Sequence, residues 1–286
     1  MKRADIISIS AAAILAFSFI VSGCDQAPQN LSVEKVRKSF NNIAPETDIK
    51  DVRPTPVRGV YEVVAESKDG RQAIVYMSSD TKFLFTGELI DVDKKENLTT
   101  ERVYDLSKVD FSSIPLANSI VLGSPDAENK VFVFSDPSCL PCALYHEELK
   151  KAVRENDNLA VFLKIFALPN LYPKSYEKAR AIHCGKDNEE ALSRLDALYA
   201  AETVPYPDCK DSAVDENMAI ASSLKITRSP TTVFPNGVKI SELMRAADFI
   251  KQLERRGGNP AKKAKATEAT PYEQGTGMSN AESESK

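Results

Sequence analysis

Apolar and polar residues follow one another along the second half of the chain in a pattern that predicts a strand, a sharp turn and a helix. Four consecutive apolar residues at 131–134 predict a short buried strand, and Asp136-Pro137-Ser138 ends it. After Cys139, apolar residues recur at helical spacing, namely Cys142, Tyr145, Leu149 and Val153. This pattern places Cys139 at the N-terminus of a helix and Cys142 one turn into it.

The residues after this helix continue the alternation of strands and helices. Residues 159–168 are almost all apolar, which is typical of a strand covered on both faces, and Pro169 and Pro173 end it. The remaining elements are predicted as helices over 176–200, 212–224 and 246–256, and strands over 229–234 and 238–240 around a turn at Pro235-Asn236-Gly237. This order predicts a layered α/β domain over residues 116–256.

The first half of the chain predicts a smaller α+β domain over residues 31–95. A helix that Ser32 caps carries Leu31, Val33, Val36 and Phe40 on one side. Strands are predicted over 60–65, 71–77 and 82–89, with turns at Lys68-Asp69-Gly70 and Ser78-Ser79-Asp80. So small a domain would gain stability by burying an edge strand against a partner. Residues 91–97 form a charged connector, and a linking helix follows within residues 96–115.

The two ends of the chain are predicted to lie outside both domains. Lys2 and Arg3 precede an apolar run at 6–21 that is short for a membrane span, so residues 1–23 are predicted to be an export signal. The run ends in Val21-Ser22-Gly23-Cys24, which resembles the lipobox of bacterial lipoproteins and implies a lipid on Cys24, with residues 24–30 as a tether. Asp25 resembles the residue that retains such lipoproteins in the inner membrane. The tail, 257–286, is predicted to be disordered.

Charge and cysteine count narrow the classes of function. The net charge of -4 argues against nucleic acid as the main partner. With Cys24 set aside, four cysteines remain, an even number that fits an exported protein in an oxidising compartment. Cys184 and Cys209 are the natural structural disulfide. Two free buried thiols, or a second redox pair that relays electrons to the first, are the alternatives.

Cys139 and Cys142 are the candidate reactive pair. The unpaired N–H groups and the positive end of the helix dipole stabilise a thiolate at Cys139, and such a setting lowers a cysteine pKa from ~8.5 to roughly 3.5 to 7.5. Cys139 is therefore the predicted nucleophile, reachable by a disulfide of another protein, and Cys142 resolves the mixed disulfide. A structural bridge or half of a zinc site are the alternatives, but zinc normally needs a second Cys/His pair, and only His146 and His183 are available. No metal or cofactor is predicted.

These features together resemble a known family. A strand, a C-x-x-C helix and a proline that opens a late strand are the thioredoxin-like pattern. The lead-in domain, the linking helix, the helical insert with Cys184 and Cys209, and S-P-T-T-V-F-P-N-G from Ser229 are similar to the DsbC/DsbG group of bacterial disulfide isomerases. The resemblance implies a homodimer joined through cystatin-like N-terminal domains, misfolded or unfolded exported proteins as clients, and a membrane reductase of the DsbD type that keeps the pair reduced.

The same resemblance implies roles for Ser229 and Pro230. Pro230 would be the cis-proline that faces the active-site pair, and the backbone of Ser229 would hydrogen-bond an incoming peptide beside Cys139. An ordinary trans proline at a strand edge is the alternative. DsbC-like proteins usually carry an aromatic residue before the second cysteine, whereas this chain has Pro141 there, after Leu140. The two residues between the cysteines tune the reduction potential of the pair. His146 is interpreted as a partly exposed surface histidine.

The sequence therefore predicts a lipid-anchored periplasmic thiol-disulfide oxidoreductase that isomerises or reduces incorrect disulfides in exported proteins. Within the same class, the alternative is a dithiol oxidase that donates disulfides. In another class, it is a holdase chaperone that binds unfolded clients without redox turnover.

Overall fold

The computed structural model describes residues 31–205, residue 209 and residues 212–258. The predicted export signal, the tether with Cys24 and the predicted tail from residue 259 onward lie outside these residues. The chain divides into two compact units, the first ending at Thr99 and the second beginning at Thr100.

The first unit is one helix packed on a small antiparallel sheet with the strand order β1-β2-β3-β4. Its elements are α1 (Val33–Phe40), β1 (Asp48–Pro54), β2 (Val60–Glu66), β3 (Gln72–Ser78) and β4 (Leu84–Phe85). The hydroxyl of Ser32 accepts a hydrogen bond from the backbone N–H of Lys35 at 3.2 Å, so the predicted cap is confirmed. Val36 and Phe40 point from α1 into the core, against the inward side chains of the sheet.

The sheet of the first unit differs from the prediction at its two edges. The strand predicted over 82–89 is wrong in length, because only Leu84–Phe85 pairs with β3, and the apolar residues there are exposed instead of buried. The edge strand β1 was not predicted, because Ile49 is its only buried residue and its sequence is mostly polar. The predicted charged connector contains a short hairpin of β5 (Ile90–Asp91) and β6 (Glu96–Asn97).

The second unit is built on a sheet with the order β11-β10-β8-β9-β7. Its strands are β7 (Ile120–Gly123), β8 (Asn129–Ser135), β9 (Leu159–Ile165), β10 (Thr231–Val233) and β11 (Lys239–Ile240). β8 and β9 are parallel and are connected through α3, whereas the other neighbours are antiparallel. Every residue of β9 is buried, as the continuous apolar run predicted.

Helices cover this sheet. They are α2 (Leu98–Leu106, which begins in the first unit), α3 (Leu140–Arg154), α4 (Ser175–His183), α5 (Asn188–Tyr199), α6 (Ala213–Ser223) and α7 (Ala246–Arg255). The prediction of a single helix over 176–200 is wrong, because the helix is interrupted between α4 and α5. The Asp187 carboxylate caps α5 by accepting a hydrogen bond from the backbone N–H of Glu190 at 2.9 Å. Gly185 packs so closely that an added Cβ would lie 2.8 Å from the backbone nitrogen of Ala191.

The segment from Thr100 to Val109 is fixed to the second unit at two points. The guanidinium of the buried Arg256 donates two hydrogen bonds to the Glu101 carboxylate, at 2.9 and 3.0 Å. The backbone N–H of Val109 donates to the Gly237 carbonyl at 2.9 Å. Gly237 has a φ of 83°, and an added Cβ would overlap the Val109 carbonyl oxygen, so only glycine fits the predicted hairpin turn here.

Candidate active site

The turn between β8 and α3 presents the two cysteines. Cys139 is the N-cap of α3, and the backbone N–H groups of Cys142 and Ala143 donate to its carbonyl at 3.0 and 3.2 Å. Pro141 fits in the first turn of the helix because its missing N–H would have no intrahelical partner there. Both cysteines are free thiols. Cys139 thus lies at the positive end of the helix dipole, with Cys142 one turn inward.

The two sulfurs differ strongly in acidity. A hydrogen bond from the Cys142 thiol is the main reason that the pKa of Cys139 falls to about 6, and hydrogen bonds from Ser229 and Tyr172 add to the effect. Burial, and then the same hydrogen bond with Cys139, raise the pKa of Cys142. At neutral pH the pair therefore consists of a Cys139 thiolate and a Cys142 thiol.

The nucleophilic sulfur is nevertheless almost covered. Cys139 is only 2% exposed, although the next residue, Leu140, is 70% exposed. The carbonyl oxygen of Ser229, from a distant part of the sequence, lies 3.5 Å from the Cys139 Sγ. The prediction of a reachable Cys139 is wrong for this conformation, in which the residue is buried and the Ser229 carbonyl lies beside its sulfur.

A buried carboxylate holds the turn in front of Cys139. Asp136 is fully buried, and its two oxygens accept hydrogen bonds from the backbone N–H groups of Ser138 at 2.8 Å and Leu168 at 2.7 Å. Burial raises the pKa of Asp136. The same side chain therefore ties the active-site turn to the loop that follows β9. The sequence indicated Asp136 only as a strand terminator, and its place three residues before Cys139 was the available signal.

Ser229 and Pro230 lie beside the pair, on the segment that leads into β10. The Ser229–Pro230 peptide bond is cis, and Ser229 contacts Cys139 through its carbonyl. The Tyr145 hydroxyl hydrogen-bonds the Thr232 hydroxyl at 2.8 Å, which connects α3 directly to β10. The structure therefore brings together the four predicted residues of the site. Sequence reasoning missed Tyr145 as a connector, since it counted this residue only as part of an apolar stripe.

The other predicted cysteines are located as follows. Cys184 and Cys209 are joined by a disulfide, with their Cα atoms 6.0 Å apart. Cys184 caps the C-terminus of α4, and the Arg180 guanidinium on that helix donates to the Cys209 carbonyl at 2.6 Å. Cys24, the predicted lipidation site, lies outside the described residues.

The interpretation of His146 as a partly exposed residue is wrong. Its side chain is 3% exposed, because the insert helix α5 covers this face of α3. Nε2 of His146 lies 2.8 Å from an Asp196 carboxylate oxygen, and the imidazole packs against the Tyr199 ring at 5.4 Å. Burial lowers the pKa of His146. Tyr199, which sequence reasoning also missed, reaches further inward, and its hydroxyl hydrogen-bonds Ser135 at 2.7 Å.

No metal site emerges from the described part of the chain. Within it, no group of three or more His, Cys, Asp or Glu side chains is arranged to hold a metal ion. The site itself consists of one ionised thiol, one neutral thiol behind it and a carbonyl beside them.

Comparison with known proteins gives two family matches that cover most of the described chain. Residues 25–100 match the family described as the disulfide bond isomerase protein N-terminal domain, and residues 116–213 match a thioredoxin family. The boundary between these matches agrees with the two units of the structure, which meet at Thr99 and Thr100.

Several curated proteins are similar to this chain. A probable thiol:disulfide interchange protein DsbC of Bordetella avium is 27% identical over 228 residues, which cover 80% of this chain and 77% of that protein. The thiol:disulfide interchange protein DsbC of Escherichia coli K12 is 23% identical over 192 residues, covering 66% of this chain and 75% of that protein. A solved disulfide interchange protein from Neisseria gonorrhoeae superposes with a TM-score of 0.44 at 23% identity, over 51% of this chain and 100% of that one.

Proposed function

We infer that this chain, a DsbC-like protein with a disulfide-isomerase N-terminal domain followed by a thioredoxin-like domain, isomerises or reduces incorrect disulfides in exported proteins. The predicted fold class, a DsbC-type N-terminal domain followed by a thioredoxin-like domain, is confirmed by these matches. The named relatives support DsbC-like thiol-disulfide isomerase activity, and the lipid anchor stays a prediction. One observation carries the chemistry: Cys139 and Cys142 are free, and the pKa of Cys139 is lowered to about 6 while that of Cys142 is raised.

The proposed reaction begins at Cys139. Its thiolate attacks one sulfur of a client disulfide, the client S–S bond breaks, and the other client sulfur leaves as a thiolate. A mixed disulfide then joins Cys139 to the client. In isomerisation, a client thiolate attacks this bond or another client disulfide, and Cys139 is finally released as a thiolate with no net transfer of electrons.

Reduction uses Cys142 in addition. Cys142 loses its proton and attacks the Sγ of Cys139, so that the client leaves as a dithiol and Cys139 and Cys142 become a disulfide. Two electrons pass to the client in this route, and a reductant must return them. We assign this task to a membrane reductase of the DsbD type, in keeping with the family resemblance.

Ser229 is proposed to position the client. Its carbonyl oxygen already lies 3.5 Å from Sγ of Cys139. Pro230 has no N–H group, so the backbone at this point offers carbonyl acceptors to a strand that approaches Cys139. A client segment hydrogen-bonded here would bring its disulfide in line with the thiolate.

Activity against a scrambled client tests this function directly. We expect the reduced protein to restore the native disulfides of a scrambled multi-disulfide protein, and we expect alkylation of Cys139 to reach half its maximal rate near pH 6, because only the thiolate reacts. Rapid oxidation of a reduced client pool with no repair of scrambled disulfides would favour the dithiol oxidase. A Cys139 alkylation profile centred near pH 8.5, as for an ordinary thiol, would refute the proposed chemistry.

A periplasmic location is proposed together with this function. The lipobox-like sequence ending at Cys24 supports a lipid anchor, and Asp25 supports retention in the inner membrane. Among the described residues, none of the helices is long and apolar enough to cross a membrane. In this proposal a lipid on Cys24 supplies the attachment, and its presence can be read from the mass of the mature N-terminal peptide.

The first unit is proposed to form a homodimer along β4. The matching N-terminal domain family supports this assembly. β4 is an edge strand, and Phe83 and Phe85 beside it are exposed by 62% and 49%. A pocket of about 220 Å³ next to the same strand is lined by Val57 and Tyr76 among others. An exposed apolar edge of this kind is stabilised when another strand pairs with it.

Substitution Phe85→Lys is therefore expected to convert the dimer to a monomer, because it places a charge in an apolar strand-pairing edge. Light scattering coupled to gel filtration measures the mass. Leu116→Lys, at a comparably exposed apolar residue of the second unit, is the control and should remain dimeric. A monomeric native protein would refute the assembly, and so would a Phe85→Lys protein that stays dimeric.

A further inference from the structure

A cavity of about 390 Å³ lies in the second unit beside the segment that carries Ser229 and Pro230. Its walls come from three places: α2, the loop between α6 and β10, and the edge strand β11 with the residues that follow it. Arg228 and Thr231, which directly precede and follow the Ser229-Pro230 dipeptide, both line it. Because the Ser229 carbonyl lies 3.5 Å from Sγ of Cys139, one wall of the cavity is continuous with the backbone beside the nucleophile.

Positive charge predominates in this cavity. Lys225, Arg228 and Lys239 line it, against the single carboxylate of Glu242. Within the described part of the chain, Lys225 and Arg228 are exposed and neither forms an ion pair. Nζ of Lys239 donates to a neutral acceptor, the Leu224 carbonyl, at 2.6 Å. Burial, and then the charge of Lys225, lower the pKa of Lys239. The cavity therefore contains more positive charge than its own carboxylate balances.

Hydrogen bonds hold the walls in place. The Thr231 hydroxyl donates to the Arg228 carbonyl at 2.8 Å and lies 2.8 Å from the Ser241 hydroxyl, which joins the loop to the end of β11. The Tyr104 hydroxyl donates to the Glu242 carboxylate at 3.1 Å. The carboxylate is thus engaged by α2, whereas the two cations without an ion pair belong to the loop that leads to Ser229.

We propose that this cavity binds an acidic side chain, aspartate or glutamate, of the client segment that lies on Ser229. This inference rests on the proposed function, since the segment is that of the client whose disulfide Cys139 attacks. A strand advances by about 3.3 Å per residue, so a client strand paired with the backbone at Ser229 passes Arg228 one residue further on. An acidic residue two or three positions from the client cysteine then comes within reach of the cavity. The surplus of positive charge favours this ligand over a neutral or basic residue at the same place.

Two matched peptides test the site. Each has one cysteine in a mixed disulfide with 2-mercaptoethanol; one carries glutamate, the other glutamine, at the second and third positions on either side. The reduced protein breaks the S–S bond of the peptide and forms the Cys139–Cys142 bond, and the two released sulfurs take up the two electrons. They also take up the Cys142 proton and one from solvent. The rate against protein concentration, measured after acid quench, gives a half-saturating concentration for each peptide.

We expect a half-saturating concentration that is roughly fivefold lower for the glutamate peptide than for the glutamine peptide, as for a partly exposed ion pair. In Lys225→Gln/Arg228→Gln this preference should disappear, while the glutamine peptide is reduced as before. High salt should diminish the preference of the native protein as well, because the Debye length falls to about 3 Å at 1 M. Circular dichroism melts show whether the variant is folded.

Lys174→Gln/Lys251→Gln provides the matched control. It removes the same net charge from two exposed lysines of the second unit that do not line the cavity, and the fivefold preference should remain. Equal half-saturating concentrations for the two peptides in the native protein would overturn the inference, and so would a preference that persists in folded Lys225→Gln/Arg228→Gln.

Failure of the native protein to reduce either peptide would count against the proposed function and not against the cavity. Fluorescence anisotropy of labelled peptides with serine in place of cysteine decides on the cavity in that case, because it measures binding without thiol exchange. The glutamate peptide should bind about fivefold more tightly than the glutamine peptide to the native protein and equally to Lys225→Gln/Arg228→Gln. Equal binding of the two peptides to the native protein would overturn the inference.

Discussion

Replacing Cys139 with alanine is expected to reduce the repair of scrambled disulfides to the rate seen without protein. The reaction begins with a thiolate at this position, and Cys142 offers no substitute because burial raises its pKa and keeps it protonated. The loss should concern the chemical step and leave the fold unaffected. Refolding yield of a scrambled multi-disulfide client, followed over time, measures it.

Cys142→Ala is expected to behave differently. Cys139 would still attack the client, but no neighbouring thiol could displace it, so mixed disulfides should accumulate unless the client thiolate released in the attack displaces Cys139 again. Gel electrophoresis without reductant, followed by mass spectrometry, detects these adducts. Ser138→Ala, next to the pair but outside the exchange, serves as the control and should retain activity. If Cys139→Ala rescued client yield as well as the native protein does, the protein would be a holdase and the redox assignment would be wrong.

Removal of the Cys184–Cys209 disulfide is expected to destabilise the second unit by about 3 to 4 kcal/mol. The bond closes a chain segment of 25 residues, and a loop of this size restricts the unfolded state by that amount in the chain-entropy description. Denaturant unfolding of the Cys184→Ala/Cys209→Ala double variant against the native protein measures the difference. The variant should unfold at a clearly lower denaturant concentration.

A reductant provides the control for this comparison. The native protein should lose similar stability when its disulfides are reduced, whereas the double variant should not respond at this site. Equal transition midpoints for the oxidised native protein and the double variant would show that the bond does not stabilise the fold. Isomerase activity of the variant, assayed below its unfolding temperature, should persist, because the exchange uses only Cys139 and Cys142. A loss of turnover in folded protein would instead favour the electron-relay alternative.

The parts of the site that are local in sequence were predictable, whereas the parts that come from packing were not. The strand, turn and helix over residues 131–153 could be predicted because the side chains of each element follow that element's own periodicity. The lowered pKa of Cys139 followed from its place at the helix N-terminus, although the structure attributes the largest effect to the neighbouring Cys142. Ser229 and Pro230 follow Cys139 by some 90 residues, and only the family resemblance brought them to the site.

The misreadings share one cause. His146 and Cys139 were judged from their own helix, yet α5 covers His146, and Ser229 from a distant segment contacts Cys139. For the strand predicted over 82–89 the error is the reverse: residues expected to be buried are exposed, because they lie at the edge of the sheet and not in a core. Periodicity indicates that a face is apolar, but it does not identify what covers that face.

The buried imidazole of His146 has a consequence for how the catalytic unit tolerates acid. Its folded-state pKa is depressed by burial despite the Asp196 carboxylate beside it, whereas the unfolded chain takes up a proton near the ordinary value of 6.5. Unfolding is therefore coupled to proton uptake below that pH, and this residue's contribution to stability declines as the medium acidifies. Since small ions cross a bacterial outer envelope readily, a protein located behind it would be exposed to external acidity directly. The packing of α5 on α3, which buries His146, would then be weakened as the pH falls.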